Sequence, residues 1–224
     1  LIRNITDQDV SKIETQVEIV EKMTKETSVL ENQCLYFAKG ELARQKEKDD
    51  KKAMEMYMKA IHITLPDFDG KNPLRNNLLT FDEIMIINAI AILHAKADDI
   101  MTAVQLGMWL KKYMEEKIVD GTMKIAKYPM ILYNLSNWLG RENCHKEALK
   151  MADLGIRFCI RYGNLAFFPI LVFNKGGALA ELGKIDQAKK YLHQSVTIFE
   201  AMDRPDLIQV ATDWCKLHYR IDIQ

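Results

Sequence analysis

Glycine and proline are scarce. Ten glycines and five prolines in 224 residues are too few turn-formers for a loop-rich or all-β protein. Charge of one sign is missing as well: 31 Lys and Arg balance 31 Asp and Glu, so the formal net charge is zero. A nucleic-acid module carries a basic excess that displaces phosphate counterions, and this chain has none. No run approaches the roughly 18 apolar residues that a membrane-spanning helix needs, so no membrane partner is expected. The four cysteines, Cys34, Cys144, Cys159 and Cys215, lie far apart without a C-x-x-C. That spacing suits a reduced, cytoplasmic protein better than a disulfide framework or a zinc site. Phosphate-loop, dinucleotide, nucleophile-elbow and H-E-x-x-H patterns are all absent. Catalysis has no residue to rest on, so the expectation is no enzyme, no cofactor and no metal. The chain opens Leu-Ile-Arg, with neither initiator Met nor signal peptide, which suggests an internal cut with something upstream.

What is present is apolar residues, 48% of the chain, and they recur at helical spacing. Ile13, Val17, Val20 and Leu132, Leu135, Leu139 are three or four apart, the period of a helix with one buried face. Thr80-Phe-Asp-Glu83 is a capping box. Pro129, Pro169 and Pro205 each precede an apolar run and suit a first helical turn. Gly121, Gly163 and Gly183 stand where helices should stop. Loops are expected at 47–52, 66–77, 120–127, 140–145, 162–166, 183–186 and 203–204. Cutting there gives ten or eleven helices and an all-α chain. The expected organisation is one helical-repeat domain, 1–224. It has a leading helix over 1–30, hairpins over 31–66, 78–119, 129–162 and 169–202, and a closing helix over 205–220.

The chain also repeats itself. Pro129-Met-Ile-Leu-Tyr-Asn134 returns 40 residues later as Pro169-Ile-Leu-Val-Phe-Asn174. Ser136 and Gly176 follow two places after each Asn, Ala148 and Ala188 fourteen places after, and Gly155 and Ser195 seven places beyond those. Pro205 reopens the pattern with Val210 in the Asn position, and Ala53-x-x-x-Tyr57-x-x-Ala60 carries its second half. Small residues at such spacing let helices cross closely and let one hairpin nest on the next. This resembles the tetratricopeptide repeat, which implies a right-handed superhelix of four to five helical hairpins. An irregular helical bundle is the alternative.

The resemblance narrows. Leu78-Leu-Thr-Phe-Asp-Glu-Ile-Met-Ile-Ile-Asn88-Ala-Ile-Ala, Leu132-Tyr-Asn-Leu-Ser136, Phe173-Asn174-Lys-Gly176 and Glu181-Leu-Gly183 are similar to the carboxy-terminal repeat domain of the PlcR- and Rgg-like transcription regulators of Gram-positive bacteria. The similarity covers about residues 30–220. It implies a domain that binds a short signalling peptide and forms a homodimer, and that touches DNA only through an amino-terminal helix-turn-helix domain not in this chain.

Candidate peptide contacts follow from helical stripes at i, i+3, i+4 and i+7 on the first helix of each hairpin. These are Met130, Tyr133, Asn134 and Asn137, then Ile170, Phe173, Asn174 and Gly177, and, earlier, Ile87 and Asn88. Asn costs up to about 0.7 kcal/mol in a helix interior relative to Ala, so its recurrence suggests a compensating role. A carboxamide both donates and accepts, matching an extended peptide backbone, and Tyr133 and Phe173 would take apolar side chains. The bland alternative is that these amides bond to the neighbouring hairpin. A scaffold or adaptor unrelated to transcription is the competing function. A carboxylate-binding chaperone adaptor would, however, want Lys or Arg where Ile87, Tyr133 and Phe173 stand. In the closing helix, Leu207, Ile208, Ala211, Trp214 and Leu217 leave one apolar stripe for packing and another for a dimer partner.

Overall fold

The computed structural model describes residues 14, 15, 17–19, 28–74, 78–117 and 121–223. Most of the expected leading helix falls outside them, although residues 14, 15 and 17–19 are helical. The described residues form nine α-helices: α1 Val29–Leu42, α2 Asp50–His62, α3 Phe81–Lys96, α4 Ile100–Glu116, α5 Gly121–Arg141, α6 His145–Tyr162, α7 Phe168–Glu181, α8 Ile185–Ala201 and α9 Pro205–Trp214. Single π-helical turns, Ala43–Glu47 and Cys215–Tyr219, follow α1 and α9. No described residue lies in a strand, and no described helix is long and apolar enough to cross a membrane. The chain divides into two compact units, Leu1–Leu106 and Gly107–Gln224.

The first unit is built on the α1–α2 hairpin, with α3 packed on α2. Gly40 makes that crossing possible: a Cβ there would lie 2.4 Å from the ring of the fully buried Tyr57. The Tyr57 hydroxyl donates to the buried Glu41 carboxylate, which Arg44 and Gln45 also bond, each at 2.5 Å. A charge taken out of water needs such partners. Thr80 begins α3 as its motif requires. Its Oγ1 accepts the Glu83 N–H at 3.3 Å, and Glu83 Oε2 accepts the Thr80 N–H at 2.6 Å. Helix α3 is apolar on every side because Ile84, Ile86, Ile87 and Ile90 are all 1% exposed or less.

The second unit stacks two hairpins, α5–α6 and α7–α8, with α6 and α5 both against α7 and α9 against α8. The small residues do what their spacing suggests. A Cβ on Gly155 would meet Leu171 at 2.8 Å, and one on Gly176 would meet Leu192 at 2.7 Å; Ser136, Ala148, Ala188 and Ser195 are buried. The turns recur too. Asn143, Gly183 and Asp203 take positive φ of 58°, 73° and 52°. After each, the next N–H reaches back to a helix carbonyl: Cys144 to Leu139, Lys184 to Leu179 and Arg204 to Phe199, at 2.8–3.0 Å. That is the left-handed helix stop with its six-to-one bond. In the first unit, Asp98 and Asp99 make the same turn.

Two sequence expectations fail together at Pro129. The loop expected over 120–127 is helix from Gly121 onward, so Gly121 opens a helix instead of ending one, and Pro129 lies inside α5. The hairpin expected to start at 129 therefore starts eight residues earlier. An interior proline has no N–H for the carbonyl four residues back, here that of Ile125. The structure supplies a substitute: Asn164, in the α6–α7 loop, donates Nδ2–H to the Ile125 oxygen at 2.6 Å. Asn164 Oδ1 meanwhile accepts the Ala166 N–H at 3.2 Å. A distant side chain thus satisfies the carbonyl that Pro129 orphans. Pro169 and Pro205 do sit in first helical turns.

Candidate functional site

The repeat places two matching stripes on α5 and α7, which pack on each other in the second unit. Met130 and Tyr133 are half-buried and Asn137 is exposed on α5; Ile170, Phe173 and Asn174 are half-buried on α7. These six residues reach solvent from two adjacent helices and mix apolar surface with carboxamides. Asn134 is only 7% exposed, so it adds little to that solvent-reaching surface.

Asn174 is the best-defined member. Its Nδ2 donates to Ser136 Oγ at 2.7 Å and to the Tyr133 carbonyl at 3.4 Å, while the Ser136 hydroxyl donates to that same carbonyl at 2.8 Å. The amide nitrogen is therefore spent on joining α7 to α5, as the bland alternative anticipates. Its Oδ1 carries no intramolecular bond among the described residues and keeps one acceptor available. Tyr133 stacks on Phe167 with centroids 6.1 Å apart and planes 29° from parallel, and burial pushes its phenol pKa upward. Ile170 and Phe173 pack against the apolar cluster of Leu179, Leu192, Phe199, Ala211 and Cys215. Gly177, the last member of the α7 stripe, is buried.

The earlier stripe is different. Ile87 is 0% and Asn88 3% exposed, inside an α3 buried on all sides. As placed, neither side chain presents a surface to a ligand. In α9 and the π turn after it, Ala211 is buried, Leu207 and Ile208 are half-buried against the cluster, and Val210, Trp214 and Leu217 are 63%, 46% and 77% exposed. Trp214 stacks on His218 at 3.9 Å. Two features carry no sequence signal strong enough to find them in advance. One is the Asn164 cap. The other is the burial of Ile221 and Ile223 to 2% and 1% after the second π turn, for which only their alternation hints.

No group of three or more His, Cys, Asp or Glu among the described residues could hold a metal. His94 sets Nδ1 against Asp99 Oδ2 at 3.1 Å and Nε2 against the Gly70 carbonyl at 3.0 Å. It fastens the loop before α3 in the first unit.

A model of the tetratricopeptide repeat matches residues 171–201, which are α7 and α8. The chain has the fold of the Bacillus thuringiensis protein PlcR. Its apo crystal structure superposes with a TM-score of 0.72 at 17% identity, over 95% of this chain and 74% of that one. PlcR in complex with the peptide PapR7 and DNA gives 0.69 at 16% identity, over 93% and 73%. A protein with TPR-like repeats from Podosopora anserina gives 0.55 at 13% identity, over 90% and 92%. A sequence search of curated proteins finds no match. The fold is thus an all-α array of tetratricopeptide-like hairpins with the architecture of the PlcR repeats.

Proposed function

We propose that this chain is the ligand-sensing domain of a cytoplasmic transcription regulator, binding a short, mostly apolar peptide on the surface formed by α5 and α7. The observation that carries the reading is the pair of solvent-reaching stripes, Met130, Tyr133, Asn137 and Ile170, Phe173, Asn174. They sit on a fold like that of PlcR, a protein solved with a peptide and DNA. Aromatic and thioether side chains offer adaptable apolar contact, and the amides of Asn137 and Asn174 offer backbone recognition. Such a domain acts by binding, with no catalytic group. A ligand shifts a two-state balance only by its differential affinity for the two states, a few kcal/mol at most.

The second part of the reading is a homodimer joined through the exposed stripe of Val210, Trp214 and Leu217. A two-fold pair would hold two upstream DNA-binding domains at one spacing, as a palindromic operator needs. Binding of an array of synthetic apolar heptapeptides tests the peptide surface. Hits are expected to weaken about tenfold or more on Tyr133→Ala and Phe173→Ala. An array without hits, or hits indifferent to both variants, overturns the assignment. Light scattering at micromolar concentration tests the dimer, which a monomer of 25.9 kDa would refute.

A further inference from the structure

The outer side of α6 carries positive charge that the fold does not neutralise. Ala148, Ala152, Gly155 and Cys159 form the buried face of this helix. At about 3.6 residues per turn, Arg157 and Arg161 stand opposite that face, and both are exposed. They are four residues apart, a like-charge pair that is unfavourable on a helix surface. The helix dipole favours Arg161 in the last turn and fades toward Arg157. The carboxylates of α6 are used elsewhere: Glu147 pairs with Lys150 at 3.9 Å and Asp153 with Lys175 of α7 at 2.7 Å. Among the described residues neither arginine meets a carboxylate.

Arg161 is held in place all the same. Its guanidinium lies 5.6 Å from the centroid of the Tyr162 ring. Tyr162 packs on Phe158 with centroids 4.5 Å apart, and Phe158 meets Tyr128 of α5 edge-on at 5.1 Å. The Tyr128 hydroxyl ends the row by donating to Glu115 of α4, which also takes Lys111 Nζ at 2.8 Å. A guanidinium resting on a ring keeps its fork of N–H donors for a planar acceptor such as a carboxylate. Ordering it beforehand lowers the entropy lost when that acceptor binds.

Apolar surface adjoins the charge. Ile160, Tyr162 and Leu165 are 64%, 44% and 58% exposed, three large apolar side chains within six positions. Ile160 is three residues from Arg157 and so its neighbour on the helix. A phosphate backbone could meet the arginines but offers no aliphatic side chain to cover Ile160. A protein segment with both carboxylates and aliphatics satisfies the two together. Two carboxylates one helical turn apart match two guanidiniums one helical turn apart.

We infer that the outer face of α6 around Arg157, Ile160 and Arg161 is a docking surface for an acidic amphipathic helix of a partner protein. Its carboxylates take the two guanidiniums, and its aliphatic stripe covers Ile160 and Tyr162. Tyrosine, arginine and isoleucine side by side are the composition of an interface centre. This face is distinct from the α5–α7 stripes, so the inference stands or falls independently of peptide binding there.

The probe is a labelled synthetic helix, Glu-Leu-Ala-Ala repeated four times, titrated into the full chain at low salt. It should bind with a Kd of about 10–100 μM and weaken about tenfold on Arg157→Gln and on Arg161→Gln. Ile160→Ser, or alanine for leucine in the probe, should weaken it about threefold or more. Lys189→Gln and Lys190→Gln, at exposed lysines of α8, should leave it unchanged, and a probe with glutamine for glutamate should not bind. All the substituted residues are exposed, and unchanged melting by circular dichroism verifies that the variants fold. Absence of binding, indifference to either arginine or to Ile160, or an equal loss in the α8 variants overturns the inference. A short DNA duplex or an anionic phospholipid vesicle that binds more tightly, with the same dependence on Arg157 and Arg161, overturns it too, by making the partner a phosphate.

Discussion

Replacing Asn164 with Ala should uncover the cost of keeping Pro129 inside a helix. In the wild type the Ile125 carbonyl lacks the N–H that a residue other than proline at 129 would supply, and Asn164 Nδ2 takes its place at 2.6 Å. Asn164→Ala removes that bond and the Oδ1 contact to the Ala166 N–H. The carbonyl is left part-buried and unpaired, at a cost of about 1–2 kcal/mol, or a fall of about 2–8 °C in Tm for a chain of this length. Pro129→Ala restores an N–H at the right place and removes the ring that crowds the carbonyl. In that background Asn164→Ala should cost about 0.5 kcal/mol or less, leaving a coupling near 1 kcal/mol. The assay is thermal and urea unfolding by circular dichroism on wild type, both single variants and the double variant. Equal losses in the two backgrounds would show that Asn164 works through its own loop and not through the proline, and the account of α5 would fall.

Asn174→Ala should cost about 1–2 kcal/mol, because Nδ2 bonds Ser136 Oγ at 2.7 Å; a loss that adds fully to that of Ser136→Ala would exclude the tie. This exceeds the near-neutral effect expected for an amide serving only a ligand. Gly176→Ala should destabilise by about 1–3 kcal/mol, since its Cβ would meet Leu192 at 2.7 Å and the Leu192 backbone nitrogen at 3.2 Å. Gly140→Ala, in a helical position with nothing within 4 Å, should instead stabilise by about 0.5–1 kcal/mol, and matching signs in unfolding experiments would refute the close-approach argument. The Asp69 carboxyl should titrate near 2 by NMR, because the backbone N–H of Asn72, the Asn72 side chain and the Lys71 N–H all bond it. With the folded pKa depressed, the stability it adds is present above about pH 4 and lost as pH falls toward 2; an ordinary midpoint near 4 would dissolve the turn.

Local sequence was sufficient wherever the deciding physics is local. Thr80 and Glu83 are three residues apart and cap each other whatever the rest of the chain does. Asn143, Gly183 and Asp203 accept left-handed φ because of what they are. The spacing of Ser136, Ala148, Gly155 and Gly176 shows that helices must cross closely, since small residues at those intervals serve little else. Only the tertiary structure decided matters between residues far apart in sequence. Pro129 reads locally as a helix start, and it sits in mid-helix because a side chain 35 positions later pairs its orphaned carbonyl. Asn174 reads as a ligand amide, and its nitrogen turns to Ser136 because α7 lies on α5. Asn88 fits the same stripe, but α3 is enclosed on every side. Gly177 reads as one more small residue, and it is covered because the chain beyond α9 folds back over it. Propensity, caps and repeat spacing are properties of a few consecutive residues, whereas the direction of a side chain's hydrogen bond and the exposure of a helix face depend on which neighbour arrives there.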